Sequence, residues 1–223
     1  HGMSVAGVSN IKAVFFSKFG KVFSMYVDKF PSARGYGEHI TTYVPLEKED
    51  AIVGLGFANP KSNYLLVSQS GKGFVVPSEA LLTTKSSGKN IFDAEDTMAF
   101  EEYANKSHYV AIVTSAGRFI VRSFESFALM KRGKGKSVIK VDRKERVVLV
   151  KVFDSNSMDL MLKSGKRFMR INKKNIETYS ANQGSGGGLL LPKGFRKISA
   201  ILLEEKSERE IVDEIDDTIS DVG

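Results

Sequence analysis

A basic residue recurs directly after a glycine in four similar segments of the sequence. Ammonium and guanidinium groups bind phosphate oxygens through charge-assisted hydrogen bonds, so a periodic row of them predicts binding to a polyanion such as duplex DNA. Bases at such positions also keep turns soluble and protect strand edges, which is the competing interpretation. Their presence in all four segments favours binding. The positions are Lys21, Lys72, Arg118 and Lys166, and Arg167 follows the last of them.

A glycine-rich loop follows each of these segments, and three of the four loops also carry bases. Glycine lets a loop adopt positive φ or approach another backbone closely, and it would let a phosphate reach backbone amides. No recognition helix accompanies the loops, so we expect binding that tolerates any DNA sequence. The loop bases are Arg34 in the first repeat, Lys85 and Lys89 in the second, and Lys131, Arg132, Lys134 and Lys136 in the third, whereas 182–188 has none.

Catalytic and nucleotide-binding patterns are not found. Gly135-Lys136-Ser137 resembles the end of a phosphate-binding P-loop, but Met130 occupies the position that requires glycine. A dinucleotide fingerprint starting at Gly184 would need glycine where Leu189 stands. His39 and His108 have no acidic partner in a triad or metal pattern. We therefore expect no cofactor, no metal and no enzymatic activity from the chain by itself.

Four repeats of similar length position these bases. The glycines at 20, 71, 117 and 165 are 51, 46 and 48 residues apart, and each lies between two runs rich in Val, Ile, Phe and Tyr. Four such runs per repeat predict a four-stranded propeller-like blade, in an all-β fold without a helical stripe in its body. The runs of the first repeat are 11–17, 21–27, 40–44 and 51–57, and those of the third are 109–114, 118–123, 138–142 and 147–153.

Charge is distributed unevenly along the chain. The net charge is +7, but 204–223 contains nine acids and two bases, which leaves +14 on the remainder. A basic body predicts a polyanionic partner. Ile211, Ile215 and Ile219 are spaced for an amphipathic helix over Glu204–Ile219 that could compete with DNA, while a frayed terminus is the alternative that we favour.

The absence of cysteine and of long apolar runs bears on where the protein works. Without cysteine there are no disulfides, which suits a reducing cytoplasm, and no run of residues is long enough to span a membrane. We therefore expect a cytoplasmic protein. His1-Gly2-Met3 suggests a cloning remnant, with native sequence expected upstream.

The motifs resemble those of the C-terminal domains of bacterial type IIA topoisomerase A subunits, particularly topoisomerase IV. The resemblance runs from about Ile11 to Glu204. It rests on a Gly-Lys/Arg-x-Phe pattern followed by a basic glycine loop. The segments that carry it are Phe30–Glu38, Gly71–Val76, Ser115–Arg118 and Lys134–Lys136.

This resemblance implies a β-pinwheel, whose blades exchange strands with their neighbours and whose basic outer edge binds and bends DNA. It also implies a separate cleavage core, which belongs to the rest of the A subunit, and an ATPase B subunit as partners. Gyrase A subunits carry a Gln-Arg-Arg-Gly-Gly-Lys-Gly box, and only 130–135 comes near it here, which favours topoisomerase IV. A gyrase domain that lacks its first blade remains an alternative, because the first repeat resembles a second family blade. A propeller-like scaffold that binds acidic proteins is a further alternative.

These observations divide the chain into three parts. Residues 1–10 are expected to hold the cloning remnant and an incoming strand, 11–203 the DNA-binding β-pinwheel, and 204–223 an acidic tail. The repeat boundaries are placed at 11–58, 59–105, 106–155 and 156–203. The twelve expected DNA contacts are the bases named above at the turns and in the glycine loops.

Overall fold

The computed structural model describes residues 11–27, 44–103, 109–180 and 186–222. The chain forms two compact units. The first comprises His1–Asn105 and Phe127–Val138, and the second comprises Lys106–Ser126 and Ile139–Gly223. The expected incoming strand within 1–10 and most of the expected strand 40–44 lie outside the described residues.

The described residues form fifteen strands, and most of the long ones match the apolar runs of the sequence. The first repeat supplies β1 (Lys12–Ser17), β2 (Lys21–Tyr26) and β3 (Ile52–Phe57), and the second supplies β4 (Asn63–Ser68), β5 (Lys72–Pro77), β6 (Lys89–Asn90) and β7 (Thr97–Tyr103). The third supplies β8 (Tyr109–Thr114), β9 (Arg118–Ser123), β10 (Lys136–Ser137) and β11 (Val147–Phe153), and the fourth supplies β12 (Met158–Ser164), β13 (Arg167–Ile171), β14 (Leu189–Leu190) and β15 (Ala200–Glu205).

Each blade is a small antiparallel sheet built around one β-hairpin. The strand orders are β3-β1-β2-β6, β10-β5-β4-β7, β11-β8-β9-β14 and β13-β12-β15. The first strand of each of the first three hairpins is buried at five consecutive positions, which explains its continuous apolar sequence. The all-β prediction and the blade prediction are confirmed.

The blades exchange strands, as the resemblance implies. The short third strand of a repeat pairs with the second strand of the preceding hairpin: β6 with β2, β10 with β5, and β14 with β9. This exchange explains why Phe127–Val138, from the third repeat, belongs to the first unit. The expected strand 138–142 is therefore misplaced: β10 ends at Ser137, and Val138 and Ile139 are buried beyond it.

The turn glycine of each of the first three hairpins binds the incoming strand. The carbonyl oxygen of Gly20 accepts hydrogen bonds from the amides of Ile91 and Phe92, at 2.9 and 3.0 Å. The carbonyl of Gly71 accepts from Val138 at 2.8 Å, and that of Gly117 from Leu191 at 2.9 Å. One backbone acceptor thus fixes the register of each exchanged strand.

Each unit has its own apolar core. Tyr64 stacks on Phe100 with ring centroids 4.3 Å apart in the first unit, and its hydroxyl donates to the Phe57 carbonyl at 2.8 Å. Burial, with a contribution from nearby Glu102, raises the pKa of Tyr64 to about 12. In the second unit, Phe119 packs edge-on against Tyr179, with ring centroids 5.0 Å apart.

The described residues of the second unit form two α-helices. α1 (Lys173–Thr178) begins at Asn172, whose side chain accepts from the Asn175 amide in a reciprocal capping box. The sequence shows no helical stripe in the body, and a helix of six residues is too short to produce one.

The acidic tail forms α2 (Glu208–Val222), so the amphipathic helix is confirmed and the frayed terminus that we favoured is wrong. Its start is later than expected, because Glu204 and Glu205 end β15. Ile211, Ile215 and Ile219 line an open cleft of about 580 Å³ with Tyr109 and Ile176. Neither helix, over its described residues, is long and apolar enough to cross a membrane.

Candidate nucleic-acid interface

The periodic base occupies a fixed place in the first three hairpins. Each hairpin has a three-residue loop that ends in a glycine with φ between 81 and 85°. The base is the first residue of the next strand, and its amide donates to a buried hydroxyl at the end of the preceding strand. The pairs are Lys21 to Ser17 at 3.1 Å, Lys72 to Ser68 at 3.2 Å and Arg118 to Thr114 at 3.2 Å.

Sequence reasoning overlooked these hydroxyls, although a Ser or Thr stands three residues before each of the three glycines. The regular spacing was the signal that could have revealed them. The hydroxyl holds the backbone of the base in place, so the base points from the same position of each hairpin.

The fourth hairpin departs from this pattern because its turn is one residue shorter. Gly165 and Lys166 form the turn, and Ser164 pairs with Arg167 across it. Arg167 therefore occupies the place of Lys21, Lys72 and Arg118, while Lys166 lies exposed at the tip. The assignment of Lys166 as the fourth periodic base is corrected to Arg167.

Two of the four periodic bases are already neutralised by carboxylates. Lys21 Nζ lies 2.8 Å from Glu47 Oε1, and Arg118 lies 2.8 Å from Asp142 Oδ2 and 3.7 Å from Glu145 Oε2. Lys72 and Arg167 form no ion pair with any residue that the structure describes. The four bases are thus unequal, because a paired base must release its acid before it gains a phosphate.

A basic cleft of about 570 Å³ lies in the first unit. Four of the described residues that line it are bases, from three different repeats, and none of them is an acid: the bases are Lys12, Lys85, Lys89 and Arg132. Lys89 Nζ donates to the Ala80 carbonyl at 3.0 Å, and Lys12 Nζ lies 4.9 Å from the centre of the Tyr26 ring. Four cations that line one cleft favour the binding of an anion there. Lys12 was not expected here, because it stands before the first hairpin, away from any glycine loop.

The basic loop of the third repeat lies against the second blade and continues from this cleft at Arg132. The amide of Gly133 donates to the Ile91 carbonyl, and its own carbonyl accepts from Asp93, both at 2.9 Å. The backbone of the loop is therefore fixed, while the four expected side chains are exposed: Lys131, Arg132, Lys134 and Lys136.

Glycines in these loops serve strand exchange. Gly88, Gly135 and Gly188 have φ of 84, 74 and 75° and directly precede β6, β10 and β14. A Cβ atom at Gly135 would lie 2.9 Å from the Gly73 carbonyl oxygen, and one at Gly188 would lie 2.9 Å from that of Phe119. Protein atoms lie where a side chain would point at these glycines. The predicted close approach to another backbone is confirmed at Gly135 and Gly188, and access of a phosphate to the amides stays a prediction.

Some expected residues cannot be placed. Arg34, the first glycine loop, His39 and His108 lie outside the described residues, as does the first part of the loop 182–188. Across the described ranges, no group of three or more His, Asp or Glu side chains could hold a metal ion.

Comparison with known proteins finds one matching family model. The model described as the DNA gyrase C-terminal domain, beta-propeller, matches residues 12–59, 62–97 and 108–154.

Curated relatives agree with this match. The A subunit of DNA topoisomerase 4 from Haemophilus influenzae is 26% identical over 209 residues, which cover 89% of this chain and 28% of that protein. The same subunit from Pseudomonas aeruginosa is 25% identical over 208 residues, covering 89% of this chain and 27% of that protein. The chain thus spans little more than a quarter of the length of these relatives.

Solved structures share the fold. The C-terminal domain of E. coli ParC aligns with a TM-score of 0.76 at 21% identity, covering 89% of this chain and 83% of that one. The C-terminal domain of DNA gyrase A aligns with a TM-score of 0.62 at 16% identity, covering 90% and 67%. The β-pinwheel prediction is confirmed.

Proposed function

The chain belongs to the DNA gyrase C-terminal domain family of β-propellers, and from this premise we propose that it binds and bends duplex DNA without cleaving it. In the parent enzyme it would present DNA segments to the cleavage core of the A subunit. An ATPase B subunit would drive strand passage there. Decatenation and relaxation of supercoils are the activities that this arrangement serves.

One observation carries the proposal: the basic cleft and the third-repeat loop form a continuous set of cations in the first unit. The cleft holds Lys12, Lys85, Lys89 and Arg132, and no acid is among the lining residues that the structure describes. Lys131, Lys134 and Lys136 extend the set from Arg132 along the loop. Lys and Arg side chains contact the phosphates of duplex DNA irrespective of its sequence, which suits a domain that must bind anywhere on a chromosome.

Salt dependence of DNA binding tests this proposal. If about five phosphates are contacted, the logarithm of the association constant should fall with the logarithm of salt concentration with a slope near −4 to −5. Fluorescence anisotropy with two duplexes of unrelated sequence would measure the slope and the sequence tolerance. An affinity that does not change between low and moderate salt would contradict the proposal. Preference for an acidic protein over both DNA and heparin would instead favour a scaffold.

Among members of this family, we propose that the parent enzyme is a topoisomerase IV. Both relatives described above are topoisomerase 4 subunits, and the gyrase box is missing from this sequence. Charge along the first two repeats is also balanced, with ten bases and eleven acids over 11–105. Bending 20 to 30 base pairs by 90° costs about 6 kcal/mol. A complete wrap therefore needs positive charge along the whole path of the DNA to offset that cost.

Ligation of nicked circular DNA distinguishes bending from chiral wrapping. As the ratio of domain to DNA increases, we expect the centre of the topoisomer distribution to stay unchanged. Positive charge in separate patches does not hold DNA along one path of fixed handedness. Resolving the ligated products on a gel measures the linking number. A shift of one sign that grows with stoichiometry would show wrapping and would reassign the domain to a gyrase.

A further inference from the structure

The loop before the last strand of a repeat contains acids in the first three repeats. In each case an acid of that loop holds the neighbouring hairpin. Glu47 pairs with Lys21, Asp142 pairs with Arg118, and Asp96 Oδ2 accepts from the Ser70 amide at 2.9 Å. These carboxylates lower the positive charge of their hairpins.

In the fourth repeat the same loop is basic. It contains Lys193, Arg196 and Lys197 and no acid. From Leu160 to Leu203 the sequence has nine bases and only one acid, Glu177. The carboxylates that hold the first three hairpins therefore have no counterpart in this loop.

Contacts within the second unit bring the loop and the hairpin together. Ser164 Oγ donates to the Lys197 carbonyl at 3.0 Å. The Arg167 guanidinium passes over Gly194, where a Cβ atom would lie 2.7 Å from its Nη1. Gly194 has φ of 96°, so glycine is needed there for both conformation and space. The loop and the hairpin thus present one surface.

The basic side chains of this surface are exposed: Lys166, Arg167, Lys193 and Lys197. Phe168 shows how open the edge is. It is 51% exposed, whereas the residues at the same hairpin position in the first and third repeats, Val22 and Phe119, are 0% exposed. Exchanged strands cover Val22 and Phe119, but no described strand pairs with the outer edge of β13.

Arg170 contrasts with these four bases. It is hydrogen-bonded to Glu204 at 2.8 Å and to Asp159 at 2.9 Å, and these bonds raise the pKa of its guanidinium. Arg170 is therefore already neutralised and does not belong to the surface.

The acidic helix begins away from this surface. Ala200, at the start of β15, pairs with Lys163 near the turn, whereas Glu205, at its end, pairs with Met158. α2 follows Glu205 and so begins at the far end of the blade, about 20 Å from the turn at about 3.4 Å per residue. That separation exceeds a Debye length of about 8 Å at physiological salt.

We propose that Lys166, Arg167, Lys193 and Lys197 form a second phosphate-binding surface for duplex DNA. This inference rests on the proposed function and specifies where DNA is held beyond the first unit. This surface contributes more to DNA affinity than the hairpin bases Lys21 and Arg118 do. Its bases form no ion pair among the described residues, so they neutralise phosphates without first releasing a carboxylate.

A triple variant tests the proposal: Arg167→Ser, Lys193→Ser and Lys197→Ser. Its matched control removes three charges from the first two repeats: Lys18→Ser, Lys48→Ser and Lys61→Ser. At moderate salt we expect DNA affinity to fall about tenfold in the test variant and to change less than about twofold in the control. The slope of the salt dependence should become shallower by about 2 to 3 in the test variant alone.

The outcomes separate the two proposals. Wild-type protein that fails to bind duplex DNA would contradict the proposed function itself. Wild-type binding with equal losses in both variants, or with none, would overturn the second surface alone. Chemical acetylation of lysines with and without DNA measures which lysines DNA covers, and it needs no variant. DNA should protect Lys193 and Lys197 but not Lys48, and equal labelling in both states would also overturn the inference.

Discussion

Replacing the four bases of the third-repeat loop with serine is expected to weaken duplex DNA binding by about 2 to 4 kcal/mol, at about 0.5 to 1 per phosphate contact. That corresponds to a loss of about 30-fold to several hundred-fold in affinity. The changes are Lys131→Ser, Arg132→Ser, Lys134→Ser and Lys136→Ser. Fluorescence anisotropy at fixed salt measures the effect.

The size of this effect follows from how the loop is built. Its backbone is held by hydrogen bonds from Gly133 to Ile91 and from Asp93 to Gly133. Because the backbone is already ordered, DNA binding has to order only the four exposed side chains, which are free to reach phosphates. Arg132 also lines the basic cleft, so replacing it removes the cation that connects the loop with the cleft.

A charge-preserving variant is the matched control for the loop. Lys131→Arg, Arg132→Lys, Lys134→Arg and Lys136→Arg keep all four charges and should keep affinity within a few-fold. The serine variant should retain its circular dichroism spectrum, since loop tips bury little apolar surface. Wild-type affinity in a folded serine variant would remove this loop from the interface.

Most of the strands could be read from the sequence because each is a short apolar run bounded by turn residues. β8, β9 and β11 have the predicted bounds, since burial of these strands leaves a continuous apolar signal. β10 could not be read in the same way. It is two residues long and pairs with a different repeat, and pairing between repeats leaves no local pattern in the chain.

The candidate site was predictable only in its residue types. Lys72 and Arg118 have the same place in the sequence repeat, yet Arg118 is paired with Asp142, 24 residues away, and Lys72 has no ion pair among the described side chains. Such pairing depends on where loops fold back. The fourth turn was ambiguous for another reason: Lys166 and Arg167 are both basic, so the sequence alone does not show which begins the strand.

The basic cleft could not be predicted from the sequence either. Lys12, Lys85 and Arg132 belong to three repeats and meet only because β6 and the third-repeat loop pack into the first unit. Lys12 carries no motif, so a search for repeated bases passes over it. Strand exchange therefore determines which of the many bases of the sequence come together.

The turn glycines provide a direct test of strand exchange, and Gly20→Ala is expected to destabilise the first unit by about 3 to 5 kcal/mol. Gly20 has φ of 85°, which costs a residue with a side chain about 1 to 2 kcal/mol. A Cβ atom would also lie 1.8 Å from the Phe92 carbonyl oxygen, so the incoming segment must move. Its two hydrogen bonds to Gly20, from Ile91 and Phe92, would then weaken, at about 0.5 to 1.5 kcal/mol each.

Gly165→Ala is the matched control, because it changes the conformation of a turn without crowding. Gly165 has φ of 60°, and nothing lies within 4 Å of the position of its Cβ. It should therefore cost only about 1 kcal/mol, or about 2 to 4 °C in Tm, against about 10 °C for Gly20→Ala. Calorimetry measures both shifts, and hydrogen exchange should show protection lost at Ile91 and Phe92 only in the Gly20 variant. Equal shifts in Tm would mean that the turn conformation, and not the exchanged strand, limits the stability of the blade.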